Sequence, residues 1–361
     1  MGIIMVLFFC ILLYLVQRFN SICLFFRSAQ TSNFNCNFVR RERIRGCTNN
    51  PLLGGASLQG SLYHKFGCFS PRYYSSLGSN KNLSSNTLDY ISYYLAGLLE
   101  GDGHFNTPKK LKSPSGTARV AILETVFALK DKPSAELLKS LFGGRVYDHP
   151  NKKLTRWLVQ DKKSVINIIN IINGKLRTPK INSLYDMIDF LNVSGANITK
   201  LPLDTSPLNS NAWLSGFIDA DGHFAIKGFS LNPKTHLGIH FQLSQRNTDR
   251  SGESLEKILL EITEFLLVKL NSRTFSEKYR QFVINTSNRV SNKILIDYLN
   301  TYPLLSSKYL DFKDWETANN IYINKLHKDP IQFEKIRELK VNMNNGRTKF
   351  SWSHHKHLLP H

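Results

Sequence analysis

Between Tyr94 and Phe105 the chain reads YLAGLLEGDGHF, and between Trp213 and Phe224 it reads WLSGFIDADGHF. In both, apolar residues fall three and four apart, the spacing of a helix with one buried face, until the pattern breaks at Asp-Gly. Alternation then takes over. HFAIKGFS and LGIHFQLSQR, split by the turn NPK, put Ile239, Phe241 and Leu243 on one face of a strand and His240, Gln242 and Ser244 on the other. HFNTP and ARVAILETVF, split by a loop containing KSPSG, repeat that plan after the first stretch. The second helix is predicted to start at Asn209 or Ser210, residue types that cap helices. Gly222 is expected in the left-handed position that ends one.

The agreement continues downstream. RWLVQDKKSVINIINIINGKLRTPK (Arg156 to Lys180) and RQFVINTSNRVSNKILIDYLNTYPLLSSK (Arg280 to Lys308) each give a strand with an arginine, a polar turn, an apolar-periodic helix and a final Leu before a Lys. The offset stays near 120 residues over three landmarks, which marks a duplicated unit; two copies are too few for a solenoid. Each unit reads helix, two strands, helix, two strands, helix, an α+β design. The expected boundaries are a leader at 1–85, a first half at 86–195, a polar Pro-containing linker at 196–209, a second half at 210–325, and a basic helix with a ragged tail at 326–361.

Charge sharpens the picture. The formal net charge is +20 over 361 residues, which favours a polyanionic partner, nucleic acid ahead of an anionic membrane face. All five cysteines lie at or before Cys68 with no C-x-x-C, so neither a zinc site nor a disulfide framework is indicated. The apolar run Gly2 to Val16 falls short of the ~20 residues of a spanning helix and lacks the preceding charge of a signal peptide. A marginal membrane anchor, an upstream coding remnant and a removed leader stay open for it. The Ser-, Asn- and Arg-rich stretch that follows reads as disordered.

Each repeated helix carries small residues one turn apart: Ala96, Gly97 and Gly101 in one, Ser215, Gly216 and Ala220 in the other. Glycine costs a helix about 1 kcal/mol relative to alanine, and close helix–helix approach compensates. Leu95, Leu98, Leu214 and Phe217 are expected to complete a pseudo-twofold contact between the two helices. Asp102 and Asp221 then face each other at two helix C-termini, where carboxylates are disfavoured by the dipole and by mutual repulsion. A hard divalent cation, Mg²⁺ or Ca²⁺, offsets both effects, and paired acids of this kind serve metal-dependent phosphodiester cleavage. A single Asp-Gly after a helix is an ordinary end; its duplication points to function. DADG does not continue as a calcium loop, since the third ligand position is His223 and no Glu closes it. Glu100 and Asp219 read as structural or solvent-facing. His104 and His223 are candidate bases, though a histidine at a strand start more often packs locally.

LAGLLEGDG (Leu95 to Gly103) and LSGFIDADG (Leu214 to Gly222) resemble the signature of the LAGLIDADG homing endonucleases, and the resemblance covers about residues 85–345. It implies a monomer of two αββαββα halves whose saddle-shaped antiparallel sheets straddle double-stranded DNA. It also implies that Asp102 and Asp221 bind Mg²⁺ or another divalent cation, with Gly101 and Ala220 offering carbonyls. Lys180 and Lys308 match the family's pocket lysines and Gln245 its water-organising residue. The first copy, ETVFALKDK, has no glutamine there, only Thr125 and Lys130 nearby, so an asymmetric pocket and unequal strand cuts are expected. The implied DNA contacts are Lys109, Lys112 and Arg119 in the first half and Lys227, His240, Gln242 and Arg246 in the second. Lysines would neutralise phosphates, while Arg, Gln and His read base edges.

Two activities fit that resemblance: site-specific double-strand cleavage in intron homing, and RNA maturase activity on the host group I intron. The intact acids favour cleavage, because RNA binding needs no facing carboxylates. A decayed reading frame that binds DNA weakly is disfavoured by two intact motifs. Abundant Asn, Lys, Ile, Ser and Tyr suit an AT-rich organellar genome, mitochondrial ahead of chloroplast. Membrane association is expected only if the apolar start is retained.

Overall fold

Both repeated stretches are helical, and each halts at its Asp-Gly. The first half runs α1 (Ser85–Asp102), β1 (Gly103–Asn106), β2 (Ile122–Ala128), α2 (Lys132–Phe142), β3 (Arg145–His149), β4 (Leu154–Val159), α3 (Lys162–Ile172) and α4 (Ile181–Val193). The second runs α5 (Trp213–Asp221), β5 (Gly222–Lys227), β6 (Gly238–Arg246), α6 (Glu256–Leu266), β7 (Leu270–Ser276), β8 (Tyr279–Thr286), α7 (Arg289–Thr301) and α8 (Lys308–Ile323), with α9 (Pro330–Val341) appended. This computed structural model describes residues 84–228, 237–249, 251–276 and 279–358. The leader at 1–83 and the NPK turn lie outside the described residues. Among those described, no helix is long and apolar enough to cross a membrane.

Each half forms one antiparallel four-stranded sheet, ordered β1-β2-β4-β3 and β5-β6-β8-β7. The expected alternation holds: Ile239, Phe241 and Leu243 are buried in β6, as are Leu123 and Phe127 in β2. Phe224, Phe241 and Trp315 close the second core, with ring centroids 5.3–5.4 Å from Phe224. Each such buried aromatic contributes about 1.5–3 kcal/mol. On the face turned away from the core, β6 carries His240, Gln242 and Ser244, whereas in the first sheet Glu124 and Arg156 stand among Ile122, Val126, Leu154 and Leu158.

Helices α1 and α5 join the halves, and the glycines set how closely. A Cβ on Gly97 would sit 2.0 Å from the carbonyl oxygen of Trp213, and one on Gly216 would sit 1.9 Å from that of Tyr94. A Cβ on Gly101 would sit 2.3 Å from Cβ of Ala220. The small residues therefore bring backbone against backbone across a pseudo-twofold axis.

Three local expectations change. The second helix begins at Trp213, later than Asn209 or Ser210, and the side chain of Asn211 accepts the Trp213 amide N–H at 3.0 Å. Gly222 is extended (φ −74°), not left-handed. Its hydrogen matters because a Cβ would meet Ile218 at 2.7 Å. A fourth helix follows the lysine of each half, α4 and α8, so the lysines open helices instead of ending units. Ile181, Leu184, Ile188 and Leu191 recur at helical spacing and carried that signal.

The polar segment between the halves is docked rather than loose. Asn173 brackets it, donating to the Thr199 carbonyl at 2.7 Å and accepting from the Leu201 amide at 3.1 Å. Arg177, almost fully buried, forms an ion pair with Asp204 at 2.5 Å and donates to Ser206. The tail beyond α9 is likewise packed: Met343, His354, His355 and Leu358 are all buried.

Candidate active site

The sixth motif position holds an acid in both copies, and both acids are buried. Glu100 accepts the amide N–H groups of Arg177 and Thr178 and the indole N–H of Trp213. Asp219 accepts the amides of Leu305 (2.7 Å) and Ser306 (2.8 Å), the Ser306 hydroxyl and the Tyr94 hydroxyl (2.5 Å). A buried carboxylate is tolerable only when hydrogen-bonded this fully. Each acid thus pins the loop that carries its half's lysine, and each takes one further donor from the opposite motif helix. These are the structural roles expected of Glu100 and Asp219, and neither is solvent-facing.

The pinned loops return the lysines to the helix tips. Lys180 Nζ donates to the carbonyls of Leu99 (3.0 Å), Glu100 (2.7 Å) and Gly103 (2.9 Å), with Gly101 at 3.4 Å. Lys308 Nζ donates to those of Ile218 (3.1 Å), Asp219 (2.7 Å) and Ala220 (3.1 Å). An ammonium there satisfies orphan carbonyls and offsets the negative helix end. The carbonyls of Gly101 and Ala220, expected as cation ligands, therefore already accept from lysine, and each keeps a second lone pair.

Asp102 and Asp221 complete the centre. A Cβ on Gly101 would lie 3.1 Å from the Asp221 carboxylate. Burial, then the charge of Asp221, pushes the Asp102 carboxyl up to about 6, against the opposing pull of Lys308 and Lys180. Burial raises Asp221 too, offset first by a hydrogen bond from Gln245 at 2.6 Å and then by the same lysines. Burial lowers the Lys308 ammonium, opposed by Asp219, Asp221 and Asp102. Burial raises both carboxyls, and an all-oxygen donor set of this kind suits a hard divalent cation, whose charge would favour their ionised forms. The residues present fit such an ion.

The two pockets differ. Gly103 pairs with Thr125, and its counterpart Gly222 pairs with Leu243. Two positions further along, Phe127 therefore occupies the place of Gln245. Thr125, named as a nearby polar group, points into the core, fully buried. Lys130 does line a cleft of about 300 Å³ beside Asp102, together with Asp131, His223, Lys308 and Asn344. Burial, then Lys308, lowers the His223 imidazole, favouring its neutral form. His104 is exposed on β1.

Of the expected DNA contacts, Lys109, Lys112, Arg119, Lys227 and Arg246 are exposed, and His240 and Gln242 are half-buried on the outward face of β6. Lys112 bridges Ala118 in the β1–β2 hairpin, so that loop is ordered where Lys109 and Arg119 project. Sequence pattern missed Asp131, whose carboxylate accepts the Ser307 amide at 2.7 Å, and the tail residue Asn344. An Asp before Lys-Pro at a helix start was a usable signal for the first. Asn344 had none, being distant in sequence from everything it touches.

The LAGLIDADG endonuclease family model matches residues 95–191 and 214–319. Intron-encoded DNA endonuclease aI3 of Saccharomyces cerevisiae is 32% identical over 310 residues, covering 76% of this chain and 74% of that protein. Intron-encoded RNA maturase bI4 of the same yeast is 33% identical over 133 residues, 37% of this chain and 19% of its own length. Among solved structures, the I-LtrWI LAGLIDADG homing endonuclease bound to target DNA aligns with a TM-score of 0.55 at 21% identity, covering 72% of this chain and 100% of that one. Meganuclease I-SmaMI bound to uncleaveable DNA aligns at 0.54 and 22%, covering 71% and 99%. At these identities the structural likeness speaks for the fold.

Proposed function

Because this chain belongs to the LAGLIDADG endonuclease family, we propose that it is a site-specific DNA endonuclease. It hydrolyses one phosphodiester in each strand of a long target and so spreads its own intron. The observation that carries this reading is the meeting of Asp102 and Asp221 at the tips of two touching helices, flanked by Lys180 and Lys308. Asp102 and Asp221, with the carbonyls of Gly101 and Ala220, would hold Mg²⁺ or another divalent cation. Bound there, the ion supplies Lewis acidity and positive charge at the scissile phosphate.

The chain's own residues do the rest. Gln245, donating to Asp221, orients the attacking water in the second half. Lys180 and Lys308 stabilise charge developing on each phosphate. The β1–β2 loop holds DNA through Lys109, Lys112 and Arg119, and the outward face of the second sheet through Lys227, His240, Gln242 and Arg246. The protein acts as a monomer, since one chain supplies both pockets. Its relatives' intron-encoded names support a mitochondrial setting.

A plasmid carrying the joined exons of the host gene, without the intron, is the substrate that tests this. With Mg²⁺ the intact protein should linearise it. Asp102→Asn or Asp221→Asn should lower double-strand cutting at least about 10³-fold while target binding stays within a few-fold. Undiminished cutting by the double variant would falsify the assignment. The likeness to bI4 supports a second reading, a maturase that binds intron RNA, in which the same variants leave splicing assistance intact.

A further inference from the structure

We infer that the C-terminal tail, through His355 and Arg347, is the brace that positions Lys308, and so governs the cutting of one DNA strand. This rests on the endonuclease reading above. The lysine loops are built to one plan but braced differently. Arg177 and Leu305 are counterparts, since each is the first loop amide bonded to its half's buried motif acid. Arg177 steadies its own loop by reaching Asp204 and Ser206 in the segment joining the halves. Leu305 has no polar side chain with which to do the same.

The tail stands in for the missing arginine. His355 Nε2 donates to the Leu305 carbonyl at 2.6 Å, and Ser134 Oγ joins it at 2.9 Å. His354 stacks on Tyr309, the residue after Lys308, with ring centroids 4.2 Å apart. Nearer α9, Arg347 forks onto Asp311 (2.8 Å) and Asp314 (2.5 Å) in the first two turns of α8, the helix that Lys308 opens. Asn344, left-handed at φ 56°, donates its amide N–H to Asp311 at 2.9 Å and its side chain to the Phe224 carbonyl at 3.1 Å. The tail therefore grips the Leu305 carbonyl, three residues before Lys308, and the helix that Lys308 opens, fixing the backbone on both sides of the lysine.

The test follows each strand of the joined-exon plasmid separately, using His355→Ala, His355→Gln and a deletion of residues 348–361. Lys308→Met and Lys180→Met identify which strand each pocket cuts. His355→Ala and the deletion should slow the Lys308 strand by about 10- to 100-fold, the cost of misplacing a reacting group by an ångström or so. The other strand should stay within about twofold, so nicked circles accumulate. His355→Gln, which keeps an N–H donor, should recover most of the loss. If the deletion does not fold, the point variants carry the same test. Equal slowing of both strands, slowing of the Lys180 strand, or an unchanged strand ratio overturns the inference while cutting by the intact chain leaves the endonuclease reading standing. An intact chain that cuts neither strand defeats both.

Discussion

Asp221 sits beside an amide that donates to it, whereas Asp102 has a phenyl ring at the matching place. Gln245 and Phe127 occupy the same register position of duplicated strands, so backbone geometry does not explain the difference. One pocket has a polar side chain on its own strand. The other is lined instead by groups from elsewhere, Lys130 and the tail's Asn344 among them. The duplication has kept its acids and lysines but not this polar partner, and on the proposed endonuclease reading the two strand cuts should differ. What stayed matched is what both halves must share, the helix contact; what diverged belongs to one half alone.

The largest effects should come from the shared parts and should be equal. Gly97→Ala and Gly216→Ala each drive a methyl into the facing backbone, at a cost of at least about 4 kcal/mol. Thermal melting should drop by roughly 10 °C or more in both; a large drop in only one would break the pseudo-twofold account.

Next come the unequal parts. Gln245→Leu should slow one strand by about tenfold or more with little change in the other, read by strand-labelled cleavage. Phe127→Gln should narrow the gap between strands. If Gln245→Leu slows both strands alike, the two pockets are not separate devices.

A pH series without metal sharpens the comparison further. Asp102, with its carboxyl held near 6, binds its proton more tightly folded than unfolded. Its contribution to stability is therefore complete below about pH 4 and disappears as pH rises through 6. Metal-free melting temperature should fall over that window, and Mg²⁺ should restore more of it at pH 7.5 than at pH 5. Asp102→Asn should flatten the curve more than Asp221→Asn, because Gln245 already favours the charged Asp221. Smallest of all, Lys109→Ala should weaken DNA binding modestly and reduce the salt slope by about one.

Much of this was legible from residue types. Gly97, Gly216 and the two terminal acids announced a close helix pair with a charged tip, because small side chains in a helix need a reason. Gln245 and its lack of a match were visible as well, but the substitute was not. Phe127 emerges only from strand register, which spacing leaves ambiguous by a residue or two. The Tyr94 and Trp213 bonds, the docking of Arg177 and the burial of His355 all join segments far apart in sequence, and no periodicity reports such pairs. Lys180 was expected among phosphates, and its reach to four helix-end carbonyls could not be read from LRTPK.

The crossed bonds have a consequence for anyone recombining such proteins. Trp213 serves Glu100, and Tyr94 serves Asp219, so one donor to each buried acid is encoded on the other side of the duplication. A hybrid that grafts the front of one relative onto the back of another inherits both mismatches at once, even when each parent is sound. Choosing parents that agree at these four positions, before any attention to sequence readout, is the selection rule the interface dictates.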